Sequence, residues 1–132
     1  MRLIALDTET ELIARGRQVP PLVCLSWAEL HLAGPLAGTI KASGLLHHSE
    51  ALAFLLALLD DPDVHVTGAS LAYDVLVTSA VQPYPTPEGP TYHEQILAKW
   101  VAAYQANRVT DVLVRQKLLD LAAGVYRRQQ LS

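Results

Sequence analysis

The chain has 132 residues, 51% of them apolar and only 17% charged, with a net charge of −3 and a single cysteine. That length fits one domain with a sizeable core. The lone Cys24 excludes an internal disulfide, and the slight acidity argues against the basic face that a self-sufficient nucleic-acid binder carries.

Residues 2–6, Arg-Leu-Ile-Ala-Leu, read as a first strand buried on both faces. Asp7 and Glu9 follow, separated by Thr8. Side chains at i and i+2 of a strand share a face, so the two carboxylates converge while Thr8 points away. Two hard oxygen donors at a strand end are the start of a Mg²⁺ or Mn²⁺ site. By themselves they fit equally a strand running into an acidic turn.

Residues 14–21 are a loop marked by Gly16, Pro20 and Pro21, and residues 22–29 are a second strand. Cys24 lies inside this strand and reads as a small buried hydrophobe. Gly34, Pro35 and Gly38 imply an irregular turn into a third, edge strand near residues 39–41. His47 and His48 read as an exposed loop pair before Ser49, which is expected to cap a helix running to Leu59. That helix is apolar nearly all round, so burial is expected, and Asp60-Asp61-Pro62 stops it. Its apolar run is too short to span a membrane, and no signal peptide precedes the first strand, so the expected location is the cytoplasm.

Residues 64–67 form the next strand, and the intervening helix implies a parallel crossover. Gly68 turns the chain, and Ser70 is expected to cap a helix over residues 71–81. Asp74 lies one turn into it, presented at the sheet edge that carries Asp7 and Glu9, or else a solvated residue favoured by the helix dipole. Residues 82–90 hold four prolines and are a loop. Residues 91–106 and 111–123 read as helices, the second capped by Asp111 and ended by Gly124, with a polar tail over residues 127–130. Trp27 and Trp100 read as packing residues. Tyr84, Tyr92 and Tyr104 read as base-stacking or packing residues, and Arg108 as a phosphate contact or part of a solvated face.

The order of these segments resembles the 3′–5′ exonuclease domain of family A DNA polymerases, phage-type and similar to DNA polymerase I, within the ribonuclease H-like superfamily. Leu6-Asp7-Thr8-Glu9-Thr10 resembles that family's first motif, Asp-x-Glu. Gly68-Ala-Ser-Leu-Ala-Tyr-Asp74 resembles its second, with Ser70 where the family usually has Asn and Ala69 in place of His. Residues 108–124 resemble the segment that follows, and the likeness is strongest to polymerases of actinobacterial viruses. The family's third motif, Tyr-x-x-x-Asp or His-x-x-x-Asp, has no match after Asp111.

The resemblance implies an α/β, ribonuclease H-like mixed sheet of about four strands flanked by helices. It implies that residues 1–132 are a partial exonuclease domain, cut short at the C-terminus, with no polymerase domain. The low charged share, against about a quarter in typical domains, agrees with apolar faces that something further covers. Asp7, Glu9 and Asp74 are the implied catalytic residues and metal ligands, for Mg²⁺ or Mn²⁺ ions about 4 Å apart. Thr8 and Ser70 are the implied substrate contacts. The implied partners are a single-stranded DNA 3′ end and a separate chain carrying the rest of the exonuclease and the polymerase, in the host cytoplasm if the protein is viral. The alternative is a non-catalytic ribonuclease H-like remnant or nucleic-acid-binding module.

Overall fold

An uninterrupted apolar run, Leu3-Ile4-Ala5-Leu6, builds the strand on which the sheet is centred. The computed structural model describes residues 1–11, 19–84 and 91–124. Within them the elements run β1 (Arg2–Thr10), β2 (Leu22–Leu30), β3 (Ile40–His47), α1 (His48–Asp60), β4 (Val64–Gly68), α2 (Leu71–Thr78), α3 (Tyr92–Gln105), β5 (Val109–Asp111) and α4 (Val112–Ala122). The fold is α/β, with a five-stranded mixed sheet in the order β3-β2-β1-β4-β5. The first three strands form antiparallel ladders, whereas β4 runs parallel to β1 and β5 parallel to β4. The parallel crossover through α1 is as the strand–helix–strand order predicts.

Ile4, Leu6 and Thr8 of β1 are buried on one face, while Leu3 and Ala5 on the other are half-buried. This differs from the expectation of burial on both faces. The buried face packs with Leu22 and Leu25 of β2, Val64 and Val66 of β4, Leu52, Leu55 and Leu59 of α1, and Ile96 and Trp100 of α3. Helix α1 turns Ala53 and Ala57 to solvent, so it is buried on one side rather than all round. Trp100 is buried and its indole N–H donates to Thr78 Oγ1 at 3.0 Å, while Trp27 packs on Phe54 at the core's edge.

Several local expectations change. The sheet gains β5, whose three residues are too short for a periodic pattern to register. Strand β3 is eight residues long, extending to His47. Helix α1 starts a residue earlier than Ser49, and its cap is His47, whose Nδ1 accepts from the Ser49 N–H. Helix α2 ends at Thr78, three residues before the expected Val81. Residues 82–84 are without helix or strand, as the prolines require, and residues 85–90 lie outside the described residues. So do residues 12–18 of the first loop and the tail over residues 127–130. Gly124 ends α4 with φ +74°, the left-handed conformation that glycine adopts freely. Among the described residues, no helix is long and apolar enough to cross a membrane.

Arg108 is half-buried rather than part of a solvated face. Its guanidinium donates to the carbonyls of Asp61, Val64 and Leu59, at 2.8, 3.1 and 2.7 Å. These carbonyls lie at the end of α1 and the start of β4, and that of Asp61 also accepts the Val64 N–H.

Gly68 ends β4 against β1. A Cβ there would lie 2.8 Å from the Leu6 carbonyl oxygen and 2.8 Å from Leu71 Cδ2. The carbonyl belongs to the central strand and cannot swing aside. Gly68→Ala is therefore expected to destabilise the domain by about 1–3 kcal/mol, the usual range for overpacking. Urea titration followed by circular dichroism measures this, and an unchanged midpoint would show that β4 can shift.

Candidate metal and nuclease site

The parallel ladder between β1 and β4 runs from Arg2↔Val64 to Ala5↔Thr67 and stops. Beyond Ala5, β1 continues with β2 alone through Asp7↔Ser26, Thr8↔Leu25 and Glu9↔Cys24. The second half of β1 therefore has one strand neighbour, with the other side left open by the end of β4. Asp7 and Glu9 are exposed on one face of this segment, and Thr8 is buried on the opposite face. The alternation expected from the sequence holds, and the carboxylates sit within the strand rather than after it.

Helix α2 enters beside that open side. Asp74, 3% exposed, lies in its first turn and meets Thr8, 7% exposed. The Thr8 N–H donates to Asp74 Oδ1 at 3.2 Å, and the Thr8 hydroxyl donates to the same oxygen. Asp74 is thus buried rather than a solvated helix residue. Burial pushes its carboxyl above the ordinary value. The two Thr8 hydrogen bonds oppose that shift, and the neighbouring charges of Asp7 and Asp111 add to it.

Asp7 and Glu9 form an exposed pair, and Asp74 stands beside it with its carboxylate turned to Thr8. Among the described residues, no three His, Cys, Asp or Glu side chains form a group able to hold a metal ion. The donor chemistry of the exposed pair, two carboxylates on one strand face, fits a hard divalent cation. Thr8 is not at the surface, and its hydroxyl is engaged by Asp74 rather than offered to a substrate.

Ser70 is exposed at the start of α2, in the left-handed conformation with φ 57° and ψ 47°. It occupies the expected cap position, but its side chain makes no cap hydrogen bond. Asp111 caps in its place. Its Oδ1 accepts from the N–H groups of Ser70, Leu113 and Val114 at 3.2, 3.0 and 3.1 Å, and its Oδ2 from Leu71 at 2.8 Å. One carboxylate thus serves the N-termini of both α2 and α4. The cap on α4 matches the sequence expectation; the cap on α2 does not follow from chain order.

Tyr73 was not singled out by the sequence reading. Its hydroxyl lies 3.0 Å from Thr10 Oγ1, bridging the end of β1 to the turn that carries Asp74. Its place directly before Asp74 was the available signal. The other aromatic candidates divide. Tyr92 is buried, Tyr84 donates to the Leu22 carbonyl at 2.9 Å and stacks on His48, and Tyr104 is exposed beyond Trp100. His47 and His48 are ring neighbours at the β3–α1 junction rather than a free loop pair.

No family model, curated protein or solved structure matches this chain.

Two outcomes test this geometry. Ser70→Gly is expected to stabilise the domain by about 0.5–1 kcal/mol, since a left-handed backbone costs an L-residue about 1–2 kcal/mol. A lower unfolding midpoint would mean that the serine side chain contributes something the backbone strain conceals.

The second concerns Asp111. Desolvation pushes its carboxyl up, but the N–H groups of Val114, Leu71, Ser70 and Leu113 outweigh this and hold it below its ordinary value. A carboxyl depressed in the folded state contributes stability above its unfolded pKa, about 3.9. That contribution is lost as pH falls through the lower, folded value. Asp111→Ala is expected to cost about 1–3 kcal/mol at neutral pH, two helix caps being removed together. It should also flatten the fall in stability below about pH 4. Urea midpoints at several pH values provide the measurement, and parallel pH profiles for the two proteins would contradict it.

Proposed function

We propose that this chain carries the metal-dependent 3′–5′ exonuclease domain of a phage-type family A DNA polymerase, on a ribonuclease H-like fold. The observation that carries the proposal is the exposed Asp7–Glu9 pair on one face of the central strand, just past the end of β4, with Asp74 entering alongside on α2. The β3-β2-β1-β4-β5 order, with β2 antiparallel to β1, is compatible with that fold and supports the reading.

In this reading Asp7 and Glu9 hold Mg²⁺ or Mn²⁺, and Asp74 is the neighbouring carboxylate. Bound divalent ions would supply activation of water and stabilisation of charge on the phosphodiester. The chain's residues supply a fixed platform: β1 holds the pair rigidly because its other edge is laddered to β2 throughout the segment. The substrate is a DNA 3′ end, most simply a single strand. With a net charge of −3, the chain has no excess of basic residues to hold a duplex by itself.

A second reading rests on Asp74. Its carboxylate is taken up by Thr8, and no three-ligand cluster is present among the described residues. This favours a non-catalytic ribonuclease H-like module that binds nucleic acid without cutting it.

The two readings separate on metal binding and digestion. Two exposed carboxylates hold an ion loosely, so the expected outcome is weak Mn²⁺ binding that disappears in Asp7→Ala. Slow release of nucleotides from 3′-labelled single-stranded DNA is expected, falling by about 10²-fold or more in Asp7→Ala. Calorimetry and a labelled-strand assay measure these. Strand binding with no Mn²⁺ uptake would favour the non-catalytic module, and digestion that survives Asp7→Ala would displace the site.

A further inference from the structure

We propose that His48 is a proton-sensitive pin: it takes up a proton only by leaving its stack on Tyr84, so that acidification frees Tyr84 from the start of β2. Neither the pin nor its test involves Asp7, Glu9 or Asp74.

His48 opens α1, and its side chain has two ring neighbours. Tyr84 stacks on it with ring centroids 3.7 Å apart and planes inclined by 26°, and the His47 ring lies at 3.9 Å. The His48 Nδ1 is buried and has no hydrogen-bond partner. A neutral imidazole carries one N–H, whereas the imidazolium carries an N–H on both nitrogens. Protonation in place would therefore put a charged donor at a buried nitrogen with nothing to accept it, a costly defect in any fold. The ring escapes that cost by moving out to water.

The surroundings add to the penalty. A cation at a helix N-terminus is disfavoured by the helix dipole. Burial pushes the His48 imidazole below its ordinary value, and the charge of His47 adds to this. The acidic residue of the same helical turn, Glu50, is exposed. Burial pushes the Tyr84 phenol up, with Tyr92 and Glu11 adding to the shift, so the stacking partner stays neutral. Gln82, beside Tyr84, is an uncharged amide.

The Tyr84 hydroxyl donates to the Leu22 carbonyl at 2.9 Å, with Gln82 Oε1 at 3.1 Å. Gln82 is held by bonds of its own. Its Oε1 accepts the Leu22 N–H at 3.0 Å, its N–H donates to the Tyr92 hydroxyl at 2.7 Å, and its Nε2 donates to the Val77 carbonyl at 2.9 Å. Departure of His48 therefore loosens Tyr84 while Gln82 keeps β2, α2 and α3 joined. A histidine whose folded value lies below the unfolded one, about 6.5, sets the window. The stack is fully stable above that pH and is lost as pH falls through the lower, folded value.

The test is an NMR titration of the full chain from about pH 8 to about pH 5, following the His48 imidazole and the Tyr84 ring. His48 is expected to titrate below about 6.5, and the Tyr84 ring signals to shift with the same midpoint while the amide spectrum stays dispersed. His48→Phe keeps a flat ring without a titrating nitrogen and is expected to abolish the Tyr84 step. Tyr84→Leu removes the stack and is expected to raise the His48 midpoint. His47→Asn keeps a capping side chain and is expected to leave the Tyr84 step in place, which assigns the proton to His48.

If His48→Phe does not fold, His48→Gln takes its place. Tyr84 signals that stay still while His48 titrates overturn the pin. So does a Tyr84 step that survives loss of the His48 imidazole, or one that vanishes in His47→Asn. An unchanged His48 midpoint in Tyr84→Leu also overturns it. Collapse of the amide dispersion at the same pH would mean that the domain unfolds as a whole, and the pin fails with it.

Discussion

When β4 stops at Gly68, the backbone around the end of the sheet is left with donors that have no strand to pair with, and two carboxylates take them. Asp74 accepts the N–H of Thr8, three residues past the last β1–β4 pair. Asp111 accepts four N–H groups at the starts of α2 and α4. The Thr8 amide is buried, and a buried amide without a partner costs about as much as a lost hydrogen bond, so the central strand depends here on Asp74, while Asp111 serves the more exposed amides at the two helix starts. An anion at a helix N-terminus is also favoured by the helix dipole, which Asp111 exploits for two helices together. Gly68 permits the arrangement by letting β4 end in contact with the Leu6 carbonyl, close enough for α2 to begin beside β1.

The helices differ in how far they rely on that junction. Helix α3 buries Tyr92, Ile96, Trp100 and Ala103 and is held by packing. Helix α4 has no buried residue among those described, and Leu118 and Leu121 are each 61% exposed. Its start is held by the Asp111 cap, where packing contributes least. Disturbing Asp111 therefore acts on two distant stretches of sequence, and its effect reaches the Asp74 turn through Ser70 and Leu71.

Much of this was legible in the sequence, and the limits have physical causes. An apolar run located β1 and alternation located β2, and the two-residue period of a strand put Asp7 and Glu9 on one face, because strand geometry is local. Proline removed regular structure from residues 82–84, again a local constraint. The α4 cap by Asp111 followed from its place just before the helix. The same residue's cap on α2, the Arg108 grip on the end of α1 and the grip of Thr8 on Asp74 were not legible. Each joins residues about 40 or more positions apart, and no periodicity encodes such a contact. Thr8 shows how far alternation alone reaches. Its inward orientation, which excludes it from solvent, follows from the same pattern that exposes its two neighbours. Strand β5 went unread because a three-residue strand is pinned by its neighbour β4 rather than by its own pattern.

Four carboxylates near the end of one sheet hold different electrostatic positions. Asp111 is rich in N–H donors and is easily kept ionised. Asp74 has one amide and one hydroxyl, is the most deeply buried, and feels the charges of Asp7 and Asp111. Asp7 and Glu9 remain in water. Among the described residues, no Lys or Arg side chain forms a salt bridge with any of the four, whereas Glu29, buried elsewhere in the same sheet, is matched by Arg2 and Lys41. The fold therefore can neutralise a buried carboxylate with a basic side chain, and it does so away from this end. Charge of the opposite sign would relieve both the burial of Asp74 and its repulsion by Asp7, and a divalent cation is the compact way to supply it at an exposed pair of hard oxygen donors. Among the described residues, then, the acidic end of β1 is a part of the sheet with which no Lys or Arg side chain pairs, and positive charge there is what the proposed ion would supply.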